Sequence, residues 1–216
     1  MINLRKVCTV LTLVGNLNGG YNGMTPIMIA AKNGHLNVIR KLIESGVDIN
    51  LAGHNADKYN YDTALMFASE NGHLEIVQLL LDRGADANIQ NDQGDTALMV
   101  ALKKQNINIA KTLIEHGTNV NLDHDVSPLM LASDHGEIEL VKMLIESGAN
   151  INLQGYYGYT ALMGATKYGH IDVVKVLLEK GALVDLQNDD DYPILEIAAY
   201  HGHNAIVKLL IEAGAK

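Results

Sequence analysis

One eleven-residue segment recurs along the whole chain and constrains it more than any other feature. Thr25 opens TPIMIAAKNGH, and close variants open at Thr63, Thr96, Ser127, Thr160 and Pro193, with spacings of 38, 33, 31, 33 and 33 residues. A fixed period near 33 predicts a solenoid. Its core is built between neighbouring units rather than around one centre.

The second half of each unit repeats too. LNVIRKLIESG ends at Gly46 and LEIVQLLLDRG at Gly84, and later copies end at Gly117, Gly148, Gly181 and Gly214. Apolar residues fall at helical spacing, as in Ile76, Val77, Leu79 and Leu80. An acidic residue precedes each closing glycine by two places. The glycine suits the left-handed residue after a helix, which costs a Cβ-bearing residue about 1 kcal/mol or more. Segments such as ADANIQNDQGD follow, rich in turn-forming Asn, Asp and Gly.

This order of features resembles the ankyrin repeat: a turn, TPLHxAA, a Gly-His loop, a second helix, then Gly-Ala-Asp-Val-Asn. TPIMIAAKNGHLNVIRKLIESGVDIN matches it, and five more copies agree in residue type and phase. The resemblance implies an all-α repeat solenoid, an ankyrin-type stack of β-turns plus antiparallel helix pairs. It further implies a curved stack whose inner surface is made by hairpin tips and first helices, where members of the family mostly bind proteins. Residues 1–216 are therefore read as a single ankyrin repeat domain. It has repeats at about 17–50, 51–88, 89–121, 122–152, 153–185 and 186–216, after a capping half repeat at 1–16.

Several departures carry expectations. Where the family has His, this chain has Met28, Met66, Met99, Met130 and Met163, then Glu196. Methionine fills space, and the expected result is loss of the hydrogen-bond network that ties hairpins together, hence less rigid hairpins. Five extra residues within LAGHNADKYNYD predict a longer finger, either a binding loop or neutral drift. Gln105 stands where the other copies have glycine, so Gln105 or Asn106 must supply the turn, and Asn tolerates the left-handed region better. Two residues are missing before Ser127, so the hairpin near 122–126 is short and the stack is expected to deviate at that boundary. Gly164 replaces a large apolar residue, so either a neighbour fills the space or a hollow is left. The outer helix of the last repeat is expected to leave isoleucines partly bare, unless the chain is a fragment of a longer protein or this is an edge for self-association of an otherwise monomeric chain.

Met1 to Val14 has two readings. Counting back from Gly15, Val7, Cys8, Val10 and Leu11 take the places of a second helix, which makes the stretch a capping half repeat. The weaker alternative is a secretory signal, with Arg5 and Lys6 before a short apolar run. The run is too short to span a bilayer. A single Cys excludes an intrachain disulfide framework and suits a reducing, cytoplasmic compartment, that of the host if the source is a pathogen. A net charge of −9 argues against nucleic acid and anionic membranes. It favours a protein partner of basic or mixed charge.

No strand–Gly-rich loop–helix, HExxH or CxxC pattern is present, so the expectation is no catalytic residue, no metal, no cofactor and no enzyme. His35, His73, His170 and His203 share one slot a repeat apart, which suits bracing of the interhelical turn. The acidic run Asp189, Asp190 and Asp191 lacks the alternation and closing Glu of a calcium loop. The nine tyrosines are more informative, because each falls in a hairpin or near the end of a first helix. Tyrosine is a favoured interface residue. The expected contact surface is Tyr156, Tyr157, Tyr159, Tyr168, Tyr192 and Tyr200, with Lys167, His201 and Asp189 to Asp191 as polar rim. A second patch joins Tyr59 and Tyr61 to Ser69, Glu70 and Asn71, with Lys103 and Lys104 supplying positive charge. The resemblance also implies a place for hydroxylation of hairpin asparagines by an oxygenase, at Asn88, Asn121 and Asn152.

The leading functional expectation is a non-catalytic protein-interaction module. The alternative is the targeting or substrate-recruiting region of a larger enzyme, or a secreted host-directed effector.

Overall fold

The computed structural model describes residues 23–55, 58–121, 126–189 and 192–216, and of 54–60 it describes no side chain. The expected half repeat at 1–16, Tyr21, the Tyr59 side chain, the short hairpin at 122–125, and Asp190 and Asp191 therefore lie outside the described residues.

Helices come in antiparallel pairs. The first members are α1 (Pro26–Lys32), α3 (Ala64–Glu70), α5 (Ala97–Lys103), α7 (Pro128–Asp134), α9 (Ala161–Tyr168) and α11 (Ile194–Tyr200). The second members are α2 (Leu36–Glu44), α4 (Leu74–Asp82), α6 (Ile107–Glu115), α8 (Ile138–Glu146), α10 (Ile171–Glu179) and α12 (Asn204–Glu212). Each start follows from the sequence. Thr63, Thr96, Ser127 and Thr160 accept a hydrogen bond from the backbone N–H three residues on, at 3.2–3.3 Å. Pro26 and Pro128 occupy the first turn, where no N–H is needed. Each second helix is followed by its closing glycine, with φ between 76° and 98°.

The methionines do more than fill space. Met28, Met66 and Met130 turn Sδ back to accept the backbone N–H of Thr25, Thr63 and Ser127, at 3.3, 3.5 and 3.4 Å. Thioether sulfur is a weak acceptor. The expectation that methionine forfeits the polar role of the family's histidine is thus corrected in part, because Met66 and Met130 close a reciprocal cap within their own turn and Met28 supplies one half of it.

The chain divides into two compact units, Met1–His116 and Gly117–Lys216. In the first, α1, α3 and α5 pack in one row and α2, α4 and α6 in another. In the second, α7, α9 and α11 form one row and α8, α10 and α12 the other. Helices of seven to nine residues are marginal in water alone. What holds them is burial: Ile27, Leu65 and Leu98 in one unit, and Leu129, Leu144 and Leu162 in the other, are at most 2% exposed. Each such side chain contributes roughly 1.5–3 kcal/mol. On the last helix Ile211 stays 57% exposed.

Side-chain braces link successive pairs. Nε2 of His73, His170 and His203 lies 3.3, 2.8 and 3.0 Å from the carbonyl oxygens of Lys32, Asp134 and Lys167. Each carbonyl lies at or next to the end of the first helix of the preceding pair. In the same slot Asn106 donates through Nδ2 to Ser69 O at 2.7 Å and Glu70 O at 3.3 Å. The left-handed residue beside it is Gln105, with φ 57°, and not Asn106. The asparagine keeps an ordinary backbone because its side chain is committed to the brace.

The turns are tied in the same way. Asn121 and Asn152 donate through Nδ2 to Gly148 O and Gly181 O, at 2.7 and 3.2 Å. Their Oδ1 atoms accept from Asn150 N and Leu183 N, at 2.8 and 2.9 Å. The five-residue insertion builds a two-stranded antiparallel hairpin, β1 (Ala52–Asn55) with β2 (Lys58–Thr63), with an irregularity between Gly53 and Asn55.

Candidate functional site

In the 117–216 unit the tyrosine surface is exposed. Tyr156, Tyr157, Tyr168 and Tyr192 are 52–57% accessible and Tyr200 is 87% accessible. The structure gathers them into smaller groups. Tyr156 and Tyr157 form a hairpin tip, with ring centroids 4.0 Å apart and hydroxyls 3.1 Å apart. Tyr157 takes a left-handed backbone, φ 55°, which few bulky residues adopt. Asp189 N–H donates to its carbonyl at 3.0 Å and holds it there. Tyr200 meets His201 edge-on at 5.1 Å, and His201 stacks on His203 at 6.2 Å. Tyr192 is placed by its N–H donating to Asn188 Oδ1 at 2.9 Å.

A charged cluster stands at α7 and α9. Lys167 Nζ sits 5.8 Å from the Tyr159 ring centre and 5.3 Å from that of Tyr168. Both distances suit cation–π attraction. Gly164 is buried in α9, and a Cβ there would overlap Oδ1 of Asp134, the last residue of α7. The missing side chain is thus filled by a neighbour's carboxylate and not left hollow. Burial pushes the Asp134 carboxyl above its usual range, against the opposing pull of His135, Lys167 and His170. Burial also raises the Tyr159 hydroxyl, with Lys167 pulling it down and Asp134 and Tyr168 adding to the rise.

Asp134 was absent from the sequence-based site. Its signal lay in one slot at the end of each first helix, occupied in turn by Lys32, Glu70, Lys103, Asp134, Lys167 and Tyr200. A charged slot facing a lone Gly164 in the next copy was the pointer.

The 23–116 unit holds a cleft of about 250 Å³ lined by Asp62, Glu70, Asn91, Asp95, Lys103 and Lys104 among others. Its charges are largely paired. Lys103 Nζ lies 2.6 Å from both carboxylate oxygens of Asp95, which is only 3% exposed. Lys104 meets Glu70 at 3.1 Å. Asn91 donates to Asp62 Oδ1 at 2.7 Å. Lys103 and Lys104, expected to supply positive charge to the second patch, are each partly neutralised by a carboxylate. Ser69 is fully buried on the inner side of α3 and offers no surface to a partner, so it leaves the second patch. Asn71 donates to Phe67 O at 2.8 Å and caps that helix. Tyr61 is exposed.

Among the described residues no group of three His, Cys, Asp or Glu is placed to hold a metal ion. Among them, too, no helix is long and apolar enough to cross a membrane.

The family model described as "Ankyrin repeats (3 copies)" matches residues 3–91, 65–155 and 129–216. No curated protein matches the chain. Solved structures do. The human ASB11 ankyrin repeat domain is 30% identical, with a TM-score of 0.75, over 89% of this chain and 85% of that one. An ankyrin repeat domain from Acinetobacter baumannii AYE is 28% identical, with a TM-score of 0.79, over 88% and 98%. A chain in the structure of the predatory endopeptidase Bd0816 from Bdellovibrio bacteriovorus, in complex with the immunity protein Bd3460, is 26% identical. Its TM-score is 0.76, over 88% and 98%. The last likeness corrects the expectation that enzymes are excluded. That expectation rested on missing short motifs, and such an absence does not stand against a likeness over most of the chain to an endopeptidase complex. The chain belongs to the ankyrin-repeat family, and its general role is that of a protein–protein interaction module.

Proposed function

We propose that this chain recruits a protein partner through the tyrosine face of its 117–216 unit and serves an enzyme as a targeting or substrate-recruiting region. The observation that carries the reading is the exposure of five tyrosines, from 52% to 87%, on first helices and hairpin tips of one unit. Tyrosine offers large apolar area, little entropy to lose and a hydrogen-bonding tip. The link to an enzyme draws on the neighbour found in an endopeptidase complex with its immunity protein. A peptidase is accordingly the enzyme class to test first.

The repeat bounds given above, the half repeat at 1–16 and the cytoplasmic setting belong to the same proposal. In it the exposed contact residues are Tyr156, Tyr157, Tyr168, Tyr192 and Tyr200, with Tyr159, Lys167, Asp189 and His201 at their margins. The cleft beside Tyr61, Glu70 and Lys104 is the second surface. Hydroxylation of the hairpin asparagines carries less weight, because Asn121 and Asn152 already use both amide atoms to hold neighbouring turns.

The test is affinity capture from lysate, comparing wild type with a Tyr156→Ala, Tyr157→Ala, Tyr168→Ala, Tyr200→Ala variant of unchanged helical signal. A partner held by wild type and lost by the variant supports the face. A partner held equally by both moves the site to the cleft beside Tyr61.

A further inference from the structure

We infer that the half-buried Asp134 carboxylate, seated against Gly164 beside the group of Tyr159, Lys167 and Tyr168, is an anchor site for an arginine side chain of a protein partner. The inference rests on the protein-binding reading above and names the chemistry of that partner.

Two equivalent lysines make the argument. Lys103 and Lys167 hold the same slot, eight residues after Asp95 and Tyr159 respectively. In the first copy the pair is an ion pair at 2.6 Å, and Asp95 is buried beneath the lysine. In the later copy tyrosine replaces the acid, and Lys167 rests on ring faces at 5.3 and 5.8 Å. The carboxylate of that region comes instead from Asp134, lodged against Gly164. Among the described residues no hydrogen bond or ion pair reaches the Asp134 carboxylate.

The cluster thus holds a half-buried acid with no hydrogen-bond donor among the described residues, pulled on by His135, Lys167 and His170 only from beyond ion-pair distance, and a lysine held over two aromatic rings. A half-buried carboxylate that lacks donors is unfavourable, and a donor group entering from outside removes the deficit. Guanidinium fits this demand better than ammonium. It is planar, weakly hydrated, binds a carboxylate through two N–H groups and stacks on aromatic rings. Lys167 is flexible and need only swing off the rings to admit it. Any larger residue at position 164 would push the Asp134 carboxylate out of place, so the glycine seats and orients the acid. The chain's net charge of −9 favours approach of a basic segment.

The test uses the full chain, ¹⁵N-labelled, titrated with N-acetyl-arginine methylamide and, separately, with the neutral isostere N-acetyl-citrulline methylamide. The expected result is a saturable shift of the Gly164 amide with the arginine compound and none with citrulline. Asp134→Asn should weaken the arginine titration about tenfold or more, the range for losing a charge-assisted hydrogen bond. Lys167→Gln should tighten it, because the competing cation is gone. Asp172→Asn, on α10, should leave it unaltered. Equal shifts with both compounds, an unaffected Asp134→Asn variant, or weaker binding by Lys167→Gln would each overturn the inference. Should Asp134→Asn fail to fold, the citrulline comparison and Lys167→Gln still decide. A failed titration alongside a tyrosine variant that still loses its captured partner discards the arginine site alone. Failure of both discards the face.

Discussion

Gly169 and Gly202 offer a matched pair for measuring the brace between repeats. They hold the same slot after α9 and α11, with φ of 78° and 74°. A Cβ on Gly169 would stand 2.6 Å from Cε1 of His203, whereas one on Gly202 would meet nothing within 4 Å among the described residues. Gly202→Ala should therefore cost only the left-handed penalty, about 1–2 kcal/mol. Gly169→Ala carries that penalty plus forced displacement of a packed ring, about 1–3 kcal/mol more. His203→Ala loses the bond to Lys167 O and should cost about 1–2 kcal/mol. The double variant Gly169→Ala with His203→Ala should be less harmful than the sum, because the clash disappears with the ring. Urea unfolding followed by helical circular dichroism reads all four in the same unit. With slopes of about 1–3 kcal/mol per molar, Gly169→Ala should unfold at a midpoint lower than Gly202→Ala by about 0.5–1 M. Equal midpoints for the two alanine variants, or strict additivity in the double variant, would refute the steric coupling.

Three further outcomes follow from the same structure. Asn106→Ala should cost about 1–2 kcal/mol in urea unfolding through loss of its bonds to Ser69 and Glu70, while Asn106→His should restore most of that, since His73, His170 and His203 make the same brace from the same slot. Lys103→Met should destabilise by about 1–3 kcal/mol by stranding the buried Asp95 carboxylate, and adding Asp95→Asn should recover much of it, as a thermodynamic cycle will show. Asp134→Asn should be at least as stable as wild type at neutral pH. The folded carboxyl holds its proton more tightly than the unfolded one, so wild-type stability falls as pH rises above the ordinary value of 3.8, despite the nearby His135, Lys167 and His170. Thermal melts from acid to neutral pH should show that advantage shrinking towards 3.8, and a variant less stable at every pH would contradict it.

Helix pairing, caps and braces were legible because each is local or repeats in one slot. Thr63, Ser127 and Thr160 announce helix starts by type and position, and the closing glycines announce the ends. The placement of the tyrosines was legible for the same reason, since each falls in a hairpin or near the end of a first helix. What escaped depends on pairs far apart in sequence or on backbone choice. Asp134 and Gly164 are thirty residues apart, and neither means much alone. Sequence left Gln105 and Asn106 both open for the left-handed turn, and the brace made by the Asn106 side chain is what leaves that turn to Gln105. Ser69 looked like surface from its neighbours Glu70 and Asn71, yet helical rotation turns it inward. The methionine sulfur acting as a capping acceptor has no signature in composition or period.

Hydrogen–deuterium exchange of the chain, free and with its captured partner, tests the central claim most directly. The account predicts slowed exchange at 155–168 and 188–201, the segments that carry the exposed tyrosines of the 117–216 unit. Protection confined to α8, α10 and α12, or to the 23–116 unit, would contradict it.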